Sequence, residues 1–118
     1  MKPRHLPVML SEVLAALKPA DGGLYVDATF GGGGYSTALL QTADCTVMAF
    51  DRDKQAIADG LKKAKPFAPR LTLIERSFAH MEEELNARNI AKLDGIVFDL
   101  GVSSMQLDDE ERGFSFQS

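Results

Sequence analysis

Residues 26–36 read VDATFGGGGYS: an apolar run closed by an aspartate, four consecutive glycines, then Tyr-Ser. Glycine inside a regular element costs roughly 0.5 to 1 kcal/mol relative to alanine. A run from Gly31 to Gly34 is therefore a liability unless some group lies close against that backbone. Strand, glycine turn and helix in succession form the arrangement that offers bare amides to a ligand in α/β proteins. The fold then depends on whether further strands and helices alternate around this unit.

They do. Upstream, MLSEVLAALKP sets Leu10, Val13, Leu14 and Leu17 at helical spacing and stops before Pro19. Downstream, YSTALLQTA reads as a helix that opens where the loop ends, and CTVMAFD as a buried-type strand over Cys45–Asp51. In DKQAIADGLKKAK, Ala56, Ile57 and Leu61 share a predicted face, Gly60 weakens the helix, and Pro66 closes it. RLTLIE, residues 70–75, is the third strand; SFAHMEEELNARN follows as a helix with Ser77 as N-cap and Met81 and Leu85 one turn apart. LDGIVFDLG supplies a fourth apolar run, Ile96–Phe98.

Short continuous apolar strands alternating with helices predict a parallel sheet with helices on both faces. The position of the glycine loop favours a doubly wound α/β fold of about four parallel strands, the first and fourth adjacent in the middle. The tail GFSFQS is predicted to be irregular, which leaves the fourth strand as an unpaired edge. On that basis the chain reads as a fragment, with a homodimer through the exposed edge as the expected consequence.

Composition narrows the function classes. A net charge of -4 over 118 residues argues against a surface that is itself a nucleic-acid footprint. The single cysteine, Cys45, excludes an intramolecular disulfide and a multi-cysteine zinc site, and reads as a small buried residue. No apolar run of membrane-spanning length and no signal-peptide pattern occurs, so a cytoplasmic location is expected. His5 and His80 have no metal-ligand spacing, and the run Glu82–Glu84 reads as a solvated helix face.

Three of the four strand ends carry an aspartate: Asp27, Asp51 and Asp99. A single one is as readily a cap or turn residue, but three converge on the crevice where ligands of such sheets bind. Asp51 lies about 18 residues beyond the glycine loop, where a carboxylate accepts the hydroxyls of a ribose, while Asp53 is the natural N-cap of the next helix. The dinucleotide pattern GxGxxG would need glycine where the chain has Ser36. Asp27 before the loop is unhelpful beside a pyrophosphate and suits the cationic sulfonium and amino group of S-adenosylmethionine. Electrostatics thus favours a methyl donor over NAD. If the acceptor is an exocyclic amine, Asp99 or nearby carbonyls can draw out its lone pair by accepting a hydrogen bond; Phe78 is either a flank for an adenine ring or a core residue, and Ser103 and Ser104 are either functional or an ordinary polar turn.

The segments HLPVMLSEVL, DATFGGGGYS, AFDRDKQAI and DGIVFDLGVSSMQLDDEERGFSF, in that order, resemble the N-terminal part of the RsmH (MraW) family, the bacterial 16S rRNA cytosine-N4 methyltransferases. The resemblance covers nearly the whole chain, 1–118. It implies a Rossmann-like S-adenosylmethionine-dependent methyltransferase core acting on a decoding-centre cytosine of small-subunit rRNA. Carried over by position, the donor site falls on Gly33, Gly34 and Tyr35, with Gly32 beside them, and on Asp51, Phe78, Asp99 and Gln106. Two departures stand out. Tyr35 occupies a position where the family usually has histidine, and the family continues beyond RGFSF with the rest of the sheet and an inserted helical domain. The resemblance therefore implies a donor-binding half that is inactive alone. A nicotinamide-dependent oxidoreductase and a non-catalytic module of the same fold are the alternatives.

Overall fold

The computed structural model describes residues 10–31, 33–98, 101–109 and 113–117. His5, Gly32 and Asp99 lie outside them. The predicted alternation is present: α1 (Leu10–Leu17), β1 (Leu24–Asp27), α2 (Gly34–Thr42), β2 (Thr46–Phe50), α3 (Lys54–Ala64), β3 (Leu71–Ile74), α4 (Met81–Ala87) and β4 (Gly95–Phe98), with 3-10 turns at Lys65–Phe67 and Phe78–His80. β1 lies between β2 and β4 and runs parallel to both, with Val26 opposite Met48 on one side and Ile96 on the other. Strand order reverses at this point, which opens the crevice at the carboxyl end of β1.

Side-chain alternation along the strands builds two cores. Val26, Met48, Phe50, Ile74 and Ile96 meet Met81 and Leu85 of α4 on one face. Tyr25, Val47 and Val97 meet Val13 and Leu17 of α1 and Leu39 and Leu40 of α2 on the other. Helices thus cover both faces of the parallel strands. Cys45 is buried in the second core, and burial pushes its thiol pKa up, which keeps it unreactive. Arg70, just before β3, closes the far end of α2: its guanidinium donates to the carbonyls of Leu40 at 3.2 Å, Ala43 at 3.1 Å and Cys45 at 3.0 Å.

Three expectations are corrected. First, the inward face of α3 is Ile57, Gly60 and Ala64, and Leu61 is 58% exposed. Gly60 turns inward because the ring of Phe30 occupies the space a side chain would need: a β-carbon there would lie 2.6 Å from Phe30 Cε2. Second, the fourth strand is not an edge. β5 (Gly101–Asp109) pairs antiparallel with β4, placing Ser103 opposite Ile96 and Ser104 opposite Gly95, and β6 (Gly113–Gln117) pairs antiparallel with β5. The sheet order is β3-β2-β1-β4-β5-β6. A search for continuous apolar runs finds strands buried on both faces, whereas an antiparallel ribbon needs no such run. The premise of a homodimer through an exposed fourth strand is therefore removed, and Ser103 and Ser104 lie in a strand rather than a turn. Third, Glu84 is not a solvated residue of the acidic run; its side chain is 14% exposed and ion-paired.

Candidate functional site at the carboxyl ends of the parallel strands

β1 and β2 end side by side, and the segments leaving them are laced together. The Phe30 amide donates to the Phe50 carbonyl at 2.8 Å, and the Gly31 amide to Asp51 Oδ2 at 2.8 Å. The other oxygen of Asp51 accepts from the Asp53 amide at 2.9 Å. Asp53 in turn accepts from the Gln55 amide at 2.8 Å and caps α3, as its position in the sequence predicts. Each carboxylate oxygen can accept two hydrogen bonds, so Asp51 keeps acceptor capacity on both oxygens after serving the two loops.

The glycine loop turns on left-handed backbone. Gly31 (φ +53) and Gly33 (φ +87) adopt conformations that side chains rarely take. The Gly33 amide donates to the Phe30 carbonyl at 2.8 Å, and its own carbonyl accepts from Thr37, so Gly33 is the N-cap of α2. Gly34 opens the helix, and the positive end of the helix dipole faces the crevice. Tyr35 packs against the α1–α2 core.

Asp27 is enclosed, 1% exposed. Its Oδ2 accepts from the Ser36 hydroxyl at 2.7 Å and its Oδ1 from the Thr29 amide at 3.2 Å. Ser36, which breaks the dinucleotide pattern, is thus the residue that ties the end of β1 to the first turn of α2.

Beside the loop lies a cleft of about 610 Å³, lined by Ala28, Thr29, Asp51, Arg52, Arg76 and Phe78 among others. Phe78 packs with the core and also faces the cleft. Its ring stands edge-on to Phe50 (centroids 6.1 Å apart) and to Phe98 (5.4 Å), and it also lines the cleft. Ser77 caps the 3-10 turn that carries it, accepting from the Ala79 amide at 3.1 Å.

The sequence model described as the MraW methylase family matches residues 2–118. The chain belongs to the MraW methylase family. It is 58% identical over 113 residues to the Ribosomal RNA small subunit methyltransferase H of Parvibaculum lavamentivorans, covering 96% of this chain and 33% of that protein. The namesake from Rhodospirillum rubrum is 57% identical, with 96% and 35% covered. This chain thus spans about a third of the length of the curated relatives it matches. Among solved structures it is similar to an rRNA methylase from Streptococcus thermophilus, with a TM-score of 0.56 and 27% identity, covering 83% of this chain and 51% of that one. A dimethyladenosine transferase from Plasmodium falciparum, 18% identical with a TM-score of 0.58, shares the fold.

In this MraW-family chain Asp51 and Phe78 line one cleft, Gly31 is bonded to Asp51, and Gly33, Gly34, Tyr35 and Asp27 are not among the residues that line it. Gln106 lies on β5 opposite Ser115; Gly32 and Asp99 fall outside the described residues. Thr29, Arg52 and Arg76 line the cleft without having been singled out in the sequence, where each is one polar residue in a loop with no motif around it.

Arg76 anchors a charged network at the cleft rim. It donates to Glu84 Oε2 at 2.6 Å and to Glu83 Oε1 at 2.7 Å, and Glu84 also pairs with Arg88. His80 Nδ1 lies 2.7 Å from the Arg76 guanidinium and 3.1 Å from Glu83, and its tautomer decides which of the two it bonds. Arg76 holds the Glu84 carboxyl below the ordinary carboxylate range, and His80 with Arg76 does the same for Glu83. A depressed folded-state pKa stabilises the fold above the unfolded value and the contribution disappears as pH falls through the folded one. Thermal unfolding followed from pH 7 downward should therefore hold level to about pH 4.3 and then drop. Glu84→Gln should flatten that drop; an equally steep drop in the variant would assign the acid sensitivity elsewhere.

Proposed function

We propose that the chain is the S-adenosylmethionine-binding portion of a small-subunit rRNA methyltransferase. Its acceptor is the exocyclic N4 of a decoding-centre cytosine of 16S rRNA, and its partner is the small ribosomal subunit in the cytoplasm. The observation that carries this reading is the Asp51 carboxylate, held at the tip of β2 by the Gly31 and Asp53 amides with acceptor capacity to spare, in a chain of the MraW methylase family.

The residues fit such a donor. A cleft of about 610 Å³ is within the range of small-molecule sites. Asp51 would accept the ribose hydroxyls, and Phe78, braced by Phe50 and Phe98, would flank the adenine. Gly32 and Gly33 of the loop, with Gly34 and Tyr35 at the start of α2, would lie against the methionine portion. Asp27 contributes its charge from beneath the loop, where Ser36 and Thr29 hold it as an acceptor. Gln106, by its match to the family pattern, would add a further donor contact. When bound, the donor supplies an electrophilic methyl on a sulfonium. Asp99 would accept a hydrogen bond from the acceptor amine and so orient its nitrogen for in-line attack on the methyl, the sulfonium leaving as the neutral thioether and the released proton passing to water. Most of the acceleration then comes from positioning and from charge placed in advance. On this reading residues 1–118 bind the donor without completing the reaction alone.

Calorimetric titration of the chain with S-adenosylhomocysteine and, separately, with NAD tests the reading. Saturable binding of the first and none of the second is expected. Binding of NAD with no response to the methyl-donor product would replace the proposal with a nicotinamide-dependent oxidoreductase.

A further inference from the structure

We infer that Phe30 and Gly60 are a remote positioning pair that sets where the glycine loop lies, so that a residue of α3 governs how the chain holds the amino-acid portion of the donor. The inference rests on the donor reading above. Phe30 is 4% exposed and its backbone is fixed from two sides, its amide by Phe50 and its carbonyl by Gly33. The tip of its ring is caught between two glycines. A β-carbon on Gly33 would lie 2.9 Å from Cζ, and one on Gly60 would lie 2.6 Å from Cε2 and 3.0 Å from Leu73 Cδ1. Real β-carbon contacts do not come under 3.0 Å, so a methyl on Gly60 must displace something.

What moves follows from the packing. Leu73 belongs to β3 and is held in the sheet, opposite Ala49 of β2. The ring is rigid and enclosed, and the two glycines share its Cζ–Cε2 edge: a β-carbon on Gly60 would meet Cε2 and Cζ, and one on Gly33 would meet Cζ, Cε1 and Cε2. Displacement therefore runs from α3 through the ring into Gly33, the N-cap of α2. Asp51 and Phe78, which would hold ribose and adenine, lie on other elements and are joined to this segment through the backbone amides of Phe30 and Gly31, not through the Phe30 ring contacts with the two glycines. In an exposed helix a glycine-to-alanine change is favourable; at Gly60 the same change should loosen one subsite and spare the other.

Gly60→Ala, Phe30→Leu and the double variant are each titrated with S-adenosylhomocysteine and with adenosine, which lacks the amino-acid portion. Amide NMR spectra of the Gly33 and Gly34 resonances are recorded without ligand. G60A should bind S-adenosylhomocysteine roughly tenfold more weakly, bind adenosine as the parent does, and shift the two glycine amides. F30L/G60A, with a shorter side chain beside the new methyl, should recover most of the affinity and of the shifts. Unmoved amides, an equal loss for both ligands, or a double variant no better than G60A would overturn the inference. If G60A does not fold, F30L alone must show the same split between ligands, because a shortened side chain no longer supports Gly33; an unsplit response then refutes it. A parent chain that binds neither ligand refutes the donor reading instead, while the amide shifts still decide whether the pair controls the loop.

Discussion

Asp51→Ala should weaken binding of S-adenosylhomocysteine by at least about a hundredfold, the largest effect on binding expected of any single substitution in the crevice. A hydrogen bond to a charged acceptor contributes about 1.5 to 3 kcal/mol, and two ribose hydroxyls on one carboxylate at the low end of that range give about 3 kcal/mol, or two powers of ten. The loss also has a structural part. Asp51 receives the Gly31 and Asp53 amides, so alanine removes one of the two ties between the glycine loop and the end of β2, the Phe30–Phe50 backbone bond remaining. Asp51→Asn separates the two parts. Asparagine offers one acceptor oxygen and one donor nitrogen, so it must turn its NH₂ toward one of the two amides. Its affinity should fall between parent and alanine variant. Calorimetry on both variants, with thermal unfolding to establish that each is folded, measures this. Parent-like affinity in D51A would take the ribose away from Asp51 and leave that residue as a loop brace alone.

The parts of this site that the sequence discloses are those in which position along one element decides the role. An aspartate at the end of a buried strand must sit at the crevice, and Asp53 one residue before a helix must cap it. Strand order follows from the same logic, since four short apolar runs alternating with helices admit few arrangements. Gly60 shows the limit. In sequence it is a helix-weakening residue, and the reason for it, the Phe30 ring, stands thirty positions away. Helical periodicity gave Leu61 a core position because leucine is apolar, yet the packed stripe runs through the smaller Gly60 and Ala64. Arg76 was likewise silent: its partners Glu83 and Glu84 lie one 3-10 turn onward, and only the folded turn brings them within reach of it. The β5–β6 ribbon escaped notice because its strands carry no long apolar run, so no local pattern distinguished them from a tail.

Ser36→Ala should cost about 2 to 3 kcal/mol of stability, a fall in Tm of roughly 10 °C for a domain of this size. The hydroxyl is fully enclosed and donates to the equally enclosed Asp27 at 2.7 Å. Removing it takes one donor from a buried carboxylate, which costs more than losing an exposed hydrogen bond. The Thr29 amide still serves the other oxygen, so the variant should remain folded at room temperature. The double variant Asp27→Ala/Ser36→Ala should lose less than the sum of the two single losses, since it removes acceptor and donor together. Additive losses would mean that the two residues act separately, and an S36A chain as stable as the parent would show that the hydroxyl is dispensable to Asp27. The outcome matters for the site because this pair joins β1 to α2 underneath the glycine loop. A glycine at position 36, as in the dinucleotide pattern, would lack the hydroxyl that Ser36 donates to Asp27, so the two loop types differ in what joins β1 to α2 beneath the glycines.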